Sequence, residues 1–268
     1  MIVVLTSDAV EAFNLELAGK FLATIGLDGR PNVVPVISIR AFDEETLVFG
    51  EFMMVKTKRN LVDGCAVCTC VITERLDNYV VRGVFEGFER RGKYYDFISE
   101  IPLFRYNAYT GARSAGVIRV EEVWQVKRAK SRINILADTL TVMSVSGGGS
   151  GGVIPPNVAE KFNRINAVKV IAKVEGDKPL IIPALSLRAM SQSRLGFGIR
   201  SMEAERLNEG DVVATAVLTM DAIAYQVKGK YIGMKRGLLG KIGVIEAEET
   251  YTLTPPRPGE KITSIRES

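Results

Sequence analysis

Four blocks of this chain occur twice, in the same order, and that internal echo limits the fold more than any composition figure. PVISIRA (Pro35–Ala41) is answered by PALSLRA (Pro183–Ala189), and LVFG (Leu47–Gly50) by LGFG (Leu195–Gly198). YVVRGVFEG (Tyr79–Gly87) is answered by YQVKGKYIG (Tyr225–Gly233), and GVIRVEEVW (Gly116–Trp124) by GVIEAEETY (Gly243–Tyr251). A matched order of this kind means that one supersecondary plan is built twice. The second copy is about twenty residues shorter before its last block.

Each copy reads as mostly β with short helices. In the first, residues 8–19 have helical periodicity, with Asp8 as N-cap and Gly19 as stop. Strands are expected over Phe21–Ile25 and Val33–Arg40, joined at Asp28-Gly29, a strong hairpin signal. Further strands are expected over Thr46–Phe49, Ala66–Ile72, Tyr79–Phe88 and Gly116–Val126, with a helical insert around Tyr94–Tyr106. The second copy opens with a helix over Asn157–Ile165, then strands Val168–Val174 and Leu180–Arg188. Six antiparallel strands per copy suggest a barrel-like unit. Between the copies, Ser144–Gly152 (SVSGGGSGG) has linker composition and ends at Pro155-Pro156. The expected organisation is a first domain over 1–127, a linker over 128–156 and a second domain over 157–268.

Composition excludes several classes of chemistry. The chain has no histidine, which removes Ser-His and Cys-His nucleophiles, a histidine base and His-ligated metals. An enzyme built from it must use carboxylates, lysine, tyrosine or a borrowed cofactor. Cys65, Cys68 and Cys70 share one strand, where alternation puts Cys68 and Cys70 on one face; small buried residues are the expectation, and no metal site. Glu121-Glu122 and Glu248-Glu249 are adjacent on strands and point to opposite faces, so neither pair is a catalytic dyad. GLLGKIG (Gly237–Gly243) lacks Walker spacing and reads as a turn. A net charge of +4 and the lack of a basic–aromatic surface argue against nucleic acid. No stretch has the length of a membrane span and MIVVLTSD has no basic n-region, so a cytoplasmic protein without a membrane partner is expected.

One stretch carries chemistry. In LVFGEFMMVKTKRNLVDG (Leu47–Gly64), an apolar strand stops at Gly50 and a short helix is expected over Lys58–Asp63. Lys56-Thr57 places an ammonium beside a hydroxyl at the helix start, a combination suited to phosphate. The alternative is a solvated basic helix face. In the second copy, Met202 and Glu203 stand where Lys56 and Thr57 stand in the first, and a glutamate repels a phosphate dianion.

The first copy resembles the FMN-binding split barrels, relatives of pyridoxamine 5′-phosphate oxidase and especially the small bacterial FMN-binding protein. A helix leads into FLATIGLDGRPNVVPVISI, then LVFG, VKTKRNL and a strand pair ending in GVIRVEEVWQV. The resemblance implies a tandem duplicated six-stranded antiparallel split β-barrel. It implies that Lys56, Thr57 and Asn60 grip the FMN phosphate, and that Val34, Pro35, Val36, Ile37 and Ser38 lie along the isoalloxazine. It also brings Trp124, or its copy across an interface, towards the flavin. The implied function is an FMN-dependent oxidoreductase or flavin reductase with one FMN per chain, the second wall of the site coming from copy two as an intramolecular pseudo-dimer or from a homodimer. YTLTPPRPGEK lacks the ending of true pyridoxamine phosphate oxidases. Arg113 and Ser114, in TGARSAG, lie where a loop would cap a ligand. The rival reading is a scaffold holding a phosphorylated metabolite or single-stranded nucleic acid in a barrel without redox chemistry.

Overall fold

The computed structural model describes residues 4–52, 54–102, 111–148, 152–237 and 239–262. The chain divides into two compact units. One is Met1–Gln125 with Glu175–Leu180, and the other is Val126–Val174 with Ile181–Ser268.

Strands β1 (Ala18–Ile25), β2 (Pro31–Pro35), β3 (Arg40–Ala41), β4 (Thr46–Gly50), β5 (Ala66–Thr73), β6 (Asn78–Glu89) and β7 (Ala115–Trp124) form the first sheet. Its order is β2-β1-β5-β6-β7-β4-β3, antiparallel throughout. The second sheet contains β8 (Val168–Glu175), β9 (Lys178–Pro183), β10 (Arg188–Ala189), β11 (Arg194–Gly198), β12 (Val212–Leu218), β13 (Ala224–Arg236) and β14 (Lys241–Thr252). Its order, β9-β8-β12-β13-β14-β11-β10, repeats the first strand for strand. The expected tandem split-barrel architecture is the one adopted. Each sheet has seven strands where six were expected, because the turn after β2 or β9 breaks one long run and leaves a two-residue strand beyond it.

Paired glycines explain why both copies bend alike. Gly83 and its counterpart Gly229 sit at register shifts in β6 and β13. A Cβ on Gly83 would lie 2.3 Å from the carbonyl oxygen of Arg119, and on Gly229 2.0 Å from that of Glu246. The neighbouring strand passes too close for any side chain, as a bulge requires. In the first core, Phe49 packs with Phe85 and Phe88 at centroid distances of 6.2 and 6.1 Å. Around them Phe13, Leu22, Ile39 and Ile118 are buried.

Helix α1 (Ser7–Asn14) starts two residues earlier than expected because Thr6, not Asp8, is the cap: its Oγ1 accepts from Ala9 N at 3.3 Å. The turn α2 (Lys56–Asn60) also begins earlier, so Lys56 and Thr57 lie within it. The helical insert is α3 (Lys93–Glu100), packed on β4 and β7; residues 103–106 of that expectation lie outside those described.

The expected linker over 128–156 instead begins with the end of a 3-10 turn (Lys127–Lys130) and the helix α4 (Arg132–Met143). Within the second unit α4 packs on β11 and β14, the counterparts of the strands that carry α3. The second copy therefore replaces its missing insert with a helix from upstream, and β13 turns into β14 across Gly237–Gly240. Helix α5 (Pro156–Asn163) follows, with Pro156 at its first position and Pro155 as cap, where Asn157 was expected. Among the described residues no helix is long and apolar enough to cross a membrane.

Both copies bury a lysine beside an arginine: Lys20 with Arg40, and Lys169 with Arg188. Each lysine Nζ donates to a backbone carbonyl, Leu15 O at 2.7 Å and Leu185 O at 3.3 Å.

Candidate functional site

The site is assembled from the ends of β1 and β2 and the turn α2. Antiparallel register sets Thr24 of β1 opposite Asn32 of β2. Asn32 Nδ2 donates to Thr57 Oγ1 at 3.3 Å and to Thr24 Oγ1 at 3.4 Å. Asn60 Nδ2 donates to Thr24 Oγ1 at 2.9 Å. Thr57 is only 3% exposed, Thr24 and Asn32 1% each. The sequence reading missed Thr24 and Asn32, because only the strand register brings them beside Thr57.

In this arrangement the Thr57 oxygen is an acceptor. An oxygen that accepts from Asn32 keeps its own proton for donation elsewhere. Lys56, half-buried, stands one residue before it, and the exposed Arg59 two after. The turn thus carries an ammonium next in sequence to a buried cluster of hydroxyls and side-chain amides, residue types matched to phosphate oxygens. The turn spans five residues with no side-chain cap on Val55, so the side chains rather than a helix dipole carry this chemistry.

Lys58 points away from that cluster and pairs with Glu51. The Glu51 carboxylate also accepts from Ser114 Oγ at 2.6 Å. Burial pushes its pKa up, but hydrogen bonds from Lys58 and Ser114 outweigh this and hold it below the ordinary value. Glu51 N donates to Ser114 O, and Arg113 N to Glu51 O, both at 2.8 Å. Ser114 thus anchors the loop that leads into α2, while Arg113 is exposed.

The residues of β2 and the turn after it have varied roles. Val36 N donates to Lys20 O at 2.8 Å and Val36 O accepts from Ile39 N at 3.1 Å, so Val36 has no backbone N–H left for a ligand ring. The same alternation directs Val34 towards β1, leaving Pro35, which has no N–H, towards the open edge. Ile37 O accepts from Arg40 Nη1 at 2.7 Å. Ser38 Oγ accepts from Gly50 N at 3.1 Å, and Ser186 Oγ accepts from Gly198 N at 3.2 Å in the second copy. A contact made in both copies belongs to the fold rather than to a site found in one.

Trp124 is not brought to this cluster within the first unit. Register runs Pro35–Phe21–Cys70–Val80–Trp124, four strand spacings, roughly 19 Å along the sheet. Arg82 instead lies over the indole, 5.7 Å from its centroid, and reaches Glu122 at 3.4 Å and Glu175 at 2.5 Å. Cys68 and Cys70 are buried on β5 and Cys65 is half-buried.

At the corresponding place in the second unit, Lys173 takes the position of Thr24. Its Nζ pairs with Asp211 at 2.6 Å and donates to Arg206 O at 2.9 Å. Glu203 pairs with Arg206 at 3.2 Å, and Met202 is fully buried where Lys56 meets solvent. The charges there neutralise one another, and no ammonium–hydroxyl pair remains.

No family model matches the chain, and no curated protein does. Among solved structures, HupZ of Group A Streptococcus is similar at 25% identity and a TM-score of 0.39, over 46% of this chain and 94% of that one. An FMN-binding protein from Syntrophomonas wolfei is similar at 17% identity and a TM-score of 0.40, over 44% and 84%. An F420 reductase is similar at 23% identity and a TM-score of 0.34, over 42% and 94%. Each of these solved chains matches a little under half of the present one.

Proposed function

We propose that this chain is an FMN-binding flavoprotein that holds one FMN, with the phosphate at Lys56, Thr57 and Asn60 of the first unit. The observation that carries the reading is the Asn32–Thr57 hydrogen bond. It commits the Thr57 oxygen as acceptor and leaves its proton for a phosphate oxygen, beside the Lys56 ammonium. Thr24 holds Asn60 from behind, so the amide needs no reorganisation to meet a ligand. The residues present fit a phosphate monoester in charge and in donor count.

Bound FMN supplies hydride or single-electron chemistry through its isoalloxazine ring. The chain's own part is to bind, orient and shield. Pro35 and its neighbours on β2 would pass along the ring, with Ile37 offering the backbone N–H nearest the open edge. Trp124 would enter only from a second chain; a second wall from the second unit would bring Tyr251, its counterpart, instead. The reaction class we propose is a flavin-dependent oxidoreductase or flavin reductase in the cytoplasm. The two sheets are read as products of an internal duplication, one half having kept the phosphate site and the other having closed it.

Absorbance of the purified protein, with fluorescence after denaturation, tests the assignment. The two visible bands of oxidised flavin, released on unfolding, are expected. A colourless protein that takes up no added FMN contradicts it.

A further inference from the structure

Helix α4 is turned inside out for a helix on a folded domain. Its sheet-facing side holds Asp138, Thr139 and Thr141 with Val142, all buried. Asp138 accepts from Ser201 N at 2.8 Å, from Ser201 Oγ at 2.7 Å and from Arg200 N at 3.3 Å. The outer side carries Ile133, Leu136, Leu140 and Met143, 81, 55, 48 and 63% exposed. Their spacing of three, four and three residues puts them in one stripe. Four large apolar side chains in a row leave roughly 400 Å² in water, the size of patch that marks an interaction surface rather than scattered exposure.

Cations stand at both ends of this stripe. Lys127, Arg128, Lys130 and Arg132 precede it, and Arg128 pairs with Glu205 at 3.1 Å. At the other end, the β13–β14 turn abuts the helix: a Cβ on Gly237 would lie 2.7 Å from Thr141 Cγ2. That turn brings Lys235, Arg236 and Lys241, all exposed. The only acid between residues 126 and 148 is Asp138, which is buried, and residues 234–245 contain none.

We infer that the outer face of α4 docks on an anionic phospholipid surface, with the stripe in the headgroup–acyl boundary and the flanking lysines and arginines on the lipid phosphates. An apolar stripe framed by basic clusters is what an in-plane interfacial helix needs, and such clusters recognise acidic lipid. A second copy of the chain fits less well, because two-fold pairing brings like charges together. Nucleic acid would use the cations and leave the stripe in water. This inference is independent of the flavin assignment, since α4 lies in the second unit.

The test is co-sedimentation of the full chain with phosphatidylcholine vesicles that contain or lack phosphatidylglycerol. Binding is expected only with phosphatidylglycerol and is expected to fall as salt is raised. Leu136→Ser with Leu140→Ser should weaken it about ten-fold, and Lys235→Gln with Arg236→Gln by a similar factor. The replaced side chains are exposed, so thermal melts should not move. A fluorophore on Ile133→Cys gives a second readout in otherwise unaltered protein, a blue shift on adding the anionic vesicles. Failure to bind either vesicle, full binding by the serine variant, or no spectral shift overturns the inference. So does a concentration-dependent dimer that the serine variant dissolves, which would show that a second copy covers the stripe.

Discussion

Asn32 Nδ2 donates to Thr57 Oγ1 at 3.3 Å, and this contact joins an edge strand to the turn that carries the phosphate-binding candidates. Asn32 has a second partner in Thr24, so one amide orients two hydroxyls of the same buried cluster. Replacing Asn32 by leucine keeps the volume and removes both donors. The Thr57 hydroxyl is then free to turn inward, and two buried oxygens lose a partner. A stability loss of about 1–3 kcal/mol is expected, with FMN affinity reduced about ten-fold. Thermal melts and flavin fluorescence titration separate the two effects. Unchanged affinity at reduced stability would mean that Asn32 serves the fold alone.

The buried lysines give a pH dependence with a definite sign. Burial, reinforced by Arg40 and partly offset by Glu16, pushes Lys20 down to about 6; burial, reinforced by Arg188, pushes Lys169 down to about 7. In the unfolded chain both keep their protons up to the ordinary lysine value of 10.5. Between about pH 7 and 10 the folded state therefore binds fewer protons, and stability rises with pH by up to about 1.4 kcal/mol per unit for each lysine. Lys169→Met should be more stable than the parent at pH 7 and show a shallower slope. Urea unfolding at a series of pH values reads both. A parent whose stability is flat across that range contradicts the assignment.

Asp138 is expected to hold α4 in place. Asp138→Ala leaves Ser201 N and Oγ without their carboxylate and opens space above Gly198, whose added Cβ would lie 2.2 Å from the Asp138 side chain. A loss of about 2–3 kcal/mol in the second unit is expected. A variant that melts normally would show that the helix is held by other contacts.

The sequence exposed the architecture because the repeat preserved its punctuation. Gly83 and Gly229 fall at the same place in β6 and β13, and Pro35 and Pro183 end β2 and β9 alike, so matched letters mark matched backbone constraints. Helix α4 stayed hidden for the opposite reason. Its buried side is polar, so the rule that an apolar stripe faces the core gives the wrong orientation, and the glycine run after it looks like linker. Lys56, Thr57 and Asn60 were legible as a local motif. Thr24 and Asn32, which orient two of them, lie 33 and 25 residues from Thr57 in the chain. Antiparallel pairing sets Thr24 opposite Asn32, and the fold brings Asn60 to the one and Thr57 to the other, which local spacing does not display. Trp124 was drawn towards the site by family resemblance, and strand register within the unit separates them.

The central claim is one phosphate site, in the first unit, and FMN titration of the flavin-free protein tests it most directly. One FMN per chain is expected for the parent. Lys56→Ala with Thr57→Ala should weaken binding about a hundred-fold, the loss of two charge-assisted contacts. Glu203→Ala, at the position of Thr57 in the second copy, should leave stoichiometry and affinity unchanged; Met202 is fully buried and is best left intact. Equal loss from both changes, or two FMN per chain, would contradict the account.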